Sequence, residues 1–332
     1  MATAGAHLVE LGYPGRDDPS LPSSQSQFSA GGDYGIEVAS VNNQKILEEV
    51  LRLADHFDLR IDRVDECRGI FRLPDNEIRT MVATCRERQV GLVMSVGPRA
   101  VYDIGGFSRS PNGVRIGYRL RGMSNVAHAI EDVLRATELG VRGFIVYDEG
   151  LLDVLGQMRG AGRLPPETVL KLSVHAGCSN PASARLFSRI GADTINLVPD
   201  LELSMISAIR QANTCPLDLF SDTAGAAGGM IRTYDIPEII RVAAPVYIKG
   251  GAVSQPMQNH LPSSAEREER MKQVRCVVEM IHRAAPHARP VNRAERTLAI
   301  PAGPAEPKPV AYPAAGLQQT QAPARPVVEV GA

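Results

Sequence analysis

GFIVYDEGLLDVLGQMR (residues 143–159) and TVLKLSVHAGCSNPASARLFSRIG (residues 168–191) follow one plan. An apolar run of strand length ends on charged or polar residues, and a segment of helical period follows. In the second unit Asn180 stands where a helix N-cap belongs, Pro181 opens the helix and Gly191 stops it. The plan repeats in both directions. The apolar runs fall at 35–40, 59–64, 91–96, 141–147, 168–175, 192–198, 217–221 and 246–249. Helical segments fall at 44–57, 74–88, 124–139, 150–159, 181–190, 201–212 and 234–242, with a last one at 264–285. Strict alternation of strand and helix implies parallel pairing. An open, doubly wound sheet also alternates. Eight near-equal units over roughly 250 residues match a closed (β/α)8 TIM-type barrel better.

The barrel is expected over 34–285. Residues 1–33 are rich in Gly, Ser, Pro and Gln and are expected to be disordered. Residues 286–332 form a Pro/Ala-rich tail, also expected to be disordered, with little apolar surface to bury. The formal net charge of −1 argues against a nucleic-acid binder, which needs a clustered basic excess. The five cysteines are scattered and none shows CxxC spacing, so neither a disulfide framework nor a zinc knuckle is expected. No basic-then-apolar leader and no bilayer-length apolar run occurs, which fits a cytoplasmic setting and no membrane partner.

In such a barrel the residues after each strand meet at one mouth. That places Asn42, Asn43, Asp65, Glu66, Arg68, Ser95, Arg99, Asp148, Glu149, His175, Asp200, Glu202, Asp222 and Lys249 around it. Lys249, His175, Asp148, Asp222 and Asp65 are the candidate catalytic groups. His175 is suited to proton transfer or metal ligation, though a lone strand-end histidine also serves as a hydrogen-bonded core residue. Lys249 ends an apolar strand; desolvation there favours base or Schiff-base work, and the structural alternative is an ion pair with Asp222. Asp65 either acts in chemistry or pairs with a neighbouring arginine. One of Asp148 and Glu149 is expected to cap the next helix, Glu149 being the better fit. If a divalent metal is held, its ligands would be His175, Asp148 and Asp222. Glycine-rich turns at 225–229 and 250–251 offer bare N–H groups to an anion, with Gly228, Gly229, Gly250 and Gly251 as candidate binding positions, or serve only tight turns. Arg68 and Arg99 are candidate substrate-binding cations. The loop at 97–123 also carries Arg109, Arg115, Arg119 and Arg121 and suits a lid, an insertion or a subunit contact.

Across strands four to six, GVRGFIVYDEGLLDVL (140–155) and LKLSVHAGCSNPASARLFSRIGADTINLVPDLELSMISAIR (170–210) resemble the collagenase-like peptidases, the U32-like family of unassigned mechanism, several members of which act in RNA modification. Asp148, His175, Asn180, Gly191 and Glu202-Leu203-Ser204 stand at that family's pattern positions. The resemblance implies a barrel with this mouth. Asp218, Phe220, Gly225 and Ala226 follow the pattern after strand seven. The family's cysteines there are missing: none occurs from Pro216 to Arg275, which argues against an iron–sulfur cluster or a cysteine nucleophile.

Three functions are expected in order. The first is acid/base or lysine-assisted lyase-type chemistry on a small carboxylate or phosphate substrate. The second is a metal-assisted hydrolase, peptidase- or amidase-like. The third is a non-catalytic barrel acting as a partner or scaffold subunit, docking through its C-terminal tail. A homo-oligomer is compatible with each.

Overall fold

A computed structural model of the chain describes residues 2–15, 20–99, 107–110, 113, 117–252 and 260–303. Eight parallel strands close into a barrel in sequence order. They are β1 (Tyr34–Val38), β2 (Arg63–Glu66), β3 (Gly91–Ser95), β4 (Gly143–Val146), β5 (Val169–Leu172), β6 (Thr194–Asn196), β7 (Leu217–Phe220) and β8 (Val246–Gly250). β8 closes on β1, with Glu37 opposite Lys249. The expected (β/α)8 fold is therefore present.

Helix α1 (Ala2–Glu10) precedes the barrel. α2 (Gln44–His56), α3 (Asp75–Glu87), α4 (Gly122–Glu138), α5 (Glu149–Gly160), α6 (Pro181–Arg189), α7 (Leu203–Ala212), α8 (Ile236–Ala243) and α9 (Ser264–Ala284) follow the eight strands in turn. α6 begins as its sequence predicts: Asn180 and Ser183 form a reciprocal capping box, with Pro181 in the first turn. Among the described residues no helix is long and apolar enough to cross a membrane.

Period-two alternation divides the strands into two faces. Ile36, Val38, Val64, Leu170, Leu172, Leu217, Leu219 and Ile248 pack in one cluster with helix residues such as Ile46, Met81, Ile206 and Ile239. The alternate positions face inward, and several are charged. Arg63 pairs with Glu37 and Asp218, and Lys171 pairs with the same two acids. All four side chains are fully buried. Buried ions need such mutual pairing, because a lone charge there would lose its hydration without return. The pairing also corrects the second strand. It was expected at 59–64 but runs Arg63–Glu66, because its inward positions are the charged Arg63 and Asp65.

The floor of the barrel corrects both domain boundaries. Residues 286–303 are not a loose tail. Val291, Leu298 and Ala299 are buried beneath the strands. The Thr297 carbonyl accepts from the Arg63 guanidinium at 2.9 Å, and the Thr297 hydroxyl meets Tyr247 Oη at 2.9 Å. Glycines make the room: a Cβ on Gly143 would stand 2.7 Å from the Ala299 methyl. Phe28 joins the same cluster with Tyr247, Val291 and Leu298, so the N-terminal segment is also partly packed. A short extended segment with few apolar side chains gives no periodic signal, and its Pro content reads as a tail. Residues 304–332 lie outside the described residues.

Candidate active site at the barrel mouth

Asp65 sits on β2, and its carboxylate accepts from the Ser40 backbone N–H at 2.6 Å. It pairs with Lys249 of β8, which also lies 3.4 Å from Glu37. Lys249 therefore finds its partner in Asp65, not in the expected Asp222, because β1 brings β2 within reach of β8. Burial alone would lower the Lys249 ammonium, but Asp65 and Glu37 outweigh it and hold it above the ordinary lysine range. The ring of Phe220 lies 4.9 Å from the same ammonium. A lysine held charged is an electrostatic group and a poor amine nucleophile.

Asp222 is buried and accepts from the Ser221 hydroxyl at 2.8 Å and from the Gly251 N–H at 2.9 Å. That contact bears on the glycine turns. The Gly251 N–H is spent on a carboxylate. The Gly228 and Gly229 N–H groups are spent on the carbonyls of Gly225 and Ala224, each at 3.1 Å. Gly250 is the last residue of β8. Gly228, Gly229 and Gly251 have φ of +96°, +62° and +81°, so glycine there answers a left-handed turn. The expected anion cradle is not offered by these N–H groups.

Asp148 is the N-cap of α5. It accepts from Leu151 N at 3.0 Å and from Leu120 N at 3.1 Å. The capping role thus belongs to Asp148, while Glu149 pairs with Arg119 at 2.7 Å. Asn43 caps α2 in the same way, accepting from Ile46 N at 2.8 Å. His175 lies in a 3-10 turn after β5 and is part-exposed. Its ring stacks on Tyr118 at 4.0 Å and 8°, and Tyr118 stacks on Tyr147 at 4.9 Å. Among the described residues no three His, Cys, Asp or Glu side chains form a metal-sized group. The expected trio of His175, Asp148 and Asp222 is therefore not gathered into a ligand set; Asp148 is committed to a helix end and Asp222 to strand eight.

Arg99 is buried at the start of the loop after β3 and donates to Tyr147 Oη and to the Cys67 carbonyl, both at 2.9 Å. Tyr147 Oη also meets Ser95 Oγ at 2.7 Å, and Ser95 Oγ donates to the Glu66 carbonyl at 2.6 Å. Arg99 so ties the ends of β2, β3 and β4 together. Beneath it Glu66 is fully buried. Burial pushes its carboxyl up to about 7, against the pull of Arg99 and of the Arg68, Gly69 and Ser95 N–H groups. Arg68 differs from Arg99. It is part-exposed, although, as in Arg99, its Nε is buried with no hydrogen-bond partner among the described residues. Arg109 is described in its backbone only, and Arg115 lies outside the described residues.

Sequence reasoning missed Glu37, Lys171 and the Tyr118–Tyr147 pair, and it did not place Arg63 and Asp218 together inside the barrel. The signal was present as single charged residues alternating with apolar ones, as in Leu170-Lys171-Leu172 and Leu217-Asp218-Leu219. Lys171 is the lysine that burial pulls below its ordinary range, against Asp218 and Glu37.

Residues 121–226 match the model of peptidase family U32. The resemblance noted for residues 140–210 stands within that stretch. No curated protein sequence matches the chain. Among solved structures it is similar to the U32 peptidase Mk0906, at 17% identity and a TM-score of 0.41, over 70% of this chain and 96% of that one. It is also similar to the YdjI aldolase from Escherichia coli K12, at 16% identity and a TM-score of 0.44, over 75% and 90%. A native KDPGal structure shares 8% identity with a TM-score of 0.46, over 78% and 99%. None of these likenesses bears on the chemistry at the mouth.

Proposed function

We propose that the chain is a U32-like barrel enzyme that takes a small carboxylate- or phosphate-bearing substrate at its mouth and performs acid–base chemistry of the lyase type on it. One observation carries this reading. An unbroken run of contacts joins His175, Tyr147, Arg99, Cys67, Asp65 and Lys249 across the ends of five strands. The run gathers a proton carrier and two cations at the one place where a barrel of this kind does chemistry.

The roles follow from charge. Breaking a carbon–carbon or carbon–nitrogen bond beside a carbonyl leaves negative charge on the carbonyl oxygen. A fixed ammonium such as Lys249 stabilises that charge without reorganising. His175, part-exposed and stacked on Tyr118, takes a substrate proton in one half of the reaction and returns it to the departing group in the other. Arg68 grips the carboxylate or phosphate, since among the described residues no acid pairs with its guanidinium.

Oxalate, which has the charge and shape of a small enolate, tests the reading by calorimetric titration of the full chain at constant ionic strength. Saturable binding is expected, weakened at least about tenfold in Arg68→Ala. Equal oxalate affinity in the parent chain, Arg68→Ala and Lys249→Met would overturn it.

A further inference from the structure

A second site lies on the opposite side of the strands from the mouth. A groove of about 800 Å³ opens between α6, α7 and the segment 22–26. Its lining contains Arg185, Arg189 and Arg210 and no Asp or Glu among the described residues. We propose that this groove binds an organic phosphate.

Arg210 lies at the inner wall of the groove. It is only 6% exposed, yet among the described residues no carboxylate faces it. Its guanidinium is held by the carbonyls of Asn213, Cys215 and Ala243, and its Nε has no hydrogen-bond partner. A buried cation without a counter-charge is costly, and a bound anion removes that cost. Arg185 and Arg189 stand four residues apart on one face of α6. Arg185 is oriented by the Leu11 carbonyl at 2.8 Å and by the Tyr13 ring at 4.5 Å. Arg189 is exposed and has no ion pair or hydrogen bond from its side chain among the described residues.

Helix ends alone do not account for three arginines. The C-termini of α6 and α7 each present roughly half a negative charge. The three guanidinium groups exceed that, and the excess is placed around open space. Hydroxyls of Ser23, Ser26 and Thr214 also line the groove and suit the several acceptor oxygens of a phosphate. The volume exceeds that of an inorganic ion and leaves room for an organic body.

Pyrophosphate is the probe, titrated into the full chain carrying Arg68→Ala so that the mouth does not contribute. The total ionic strength is fixed with sodium chloride. Saturable binding is expected, and adding Arg189→Glu should weaken it at least about tenfold. Arg189 is on the outside of a helix, so the fold should persist, and circular dichroism checks it. Absence of saturable binding, or an affinity unchanged by Arg189→Glu, overturns the proposal. Binding that appears only after Asp17→Asn and Asp18→Asn also overturns it, because the chain's own acids would then be the counter-charge. Oxalate binding at the mouth is independent of each of these outcomes.

Discussion

Lys249 and Asp65 form a closed ion pair between β8 and β2, with side chains only 4% and 0% exposed. The pair links the two strands that flank β1 and carries the charge of the mouth down toward Glu37. Removing one partner strands the other in a dry environment. Lys249→Met should therefore cost about 3–5 kcal/mol in urea unfolding. Adding Asp65→Asn to it should recover a large part of the loss, read as a coupling in a double-mutant cycle. An undiminished cost in the double variant would show that packing, and not charge pairing, sets the stability there.

Glu66 makes stability depend on pH. Its folded value of about 7 lies above its unfolded value, so the folded chain binds the extra proton. The contribution is full below the unfolded value and is lost as pH rises through 7. The loss between pH 4.5 and 8 should be on the order of 3 kcal/mol. Glu66→Gln, which cannot titrate, should flatten this slope in urea unfolding at a series of pH values. An identical slope in the variant would place the titration elsewhere.

Asp148 separates capping from catalysis. Asp148→Ala should lose about 1 kcal/mol, because the N–H groups of Leu151 and Leu120 lose their acceptor. Asp148→Ser keeps a capping oxygen and should stay within about 0.5 kcal/mol of the parent chain. Oxalate affinity in the serine variant should match the parent within about twofold. A full loss of binding there would return Asp148 to the substrate site.

Gly91 has no room for a side chain, since the place of its Cβ is held by the carbonyl oxygen of Leu298. Gly91→Ala must push the floor segment away from β3. An unfolding cost of about 1–3 kcal/mol is expected from such overpacking. Hydrogen exchange should rise first at Leu92, whose N–H donates to Ala299 O at 3.2 Å. Unchanged exchange at Leu92 would mean that the floor tolerates the methyl group.

The outer face of this barrel was legible in the sequence and the inner face was not. Ile36, Leu170 and Ile248 belong to apolar runs and mark strands wherever they occur. Arg63 and Asp65 interrupt such a run, so β2 was expected four residues too early. Charged residues inside a barrel depend on partners from strands far away in sequence, as Arg63 does on Asp218. No local pattern reports that dependence. The mouth shows the same limit. Strand ends located Lys249, Asp65 and His175, while their partners came from closure of β8 on β1 and from Tyr118 at the far end of a long loop. Caps, by contrast, are local, and Asn180 was readable from four consecutive residues.

The segment that seals the barrel floor has a consequence for the order of folding during synthesis. Arg63 and Tyr247 find their hydrogen-bonding partner in Thr297, translated long after both. Eight strands can emerge from the ribosome and still leave two buried polar groups open to water. A nascent chain stopped just after α9 would hold a barrel with an unfinished base. The segment around Thr297 thus completes the base, taking one donor of Arg63 and the hydroxyl of Tyr247.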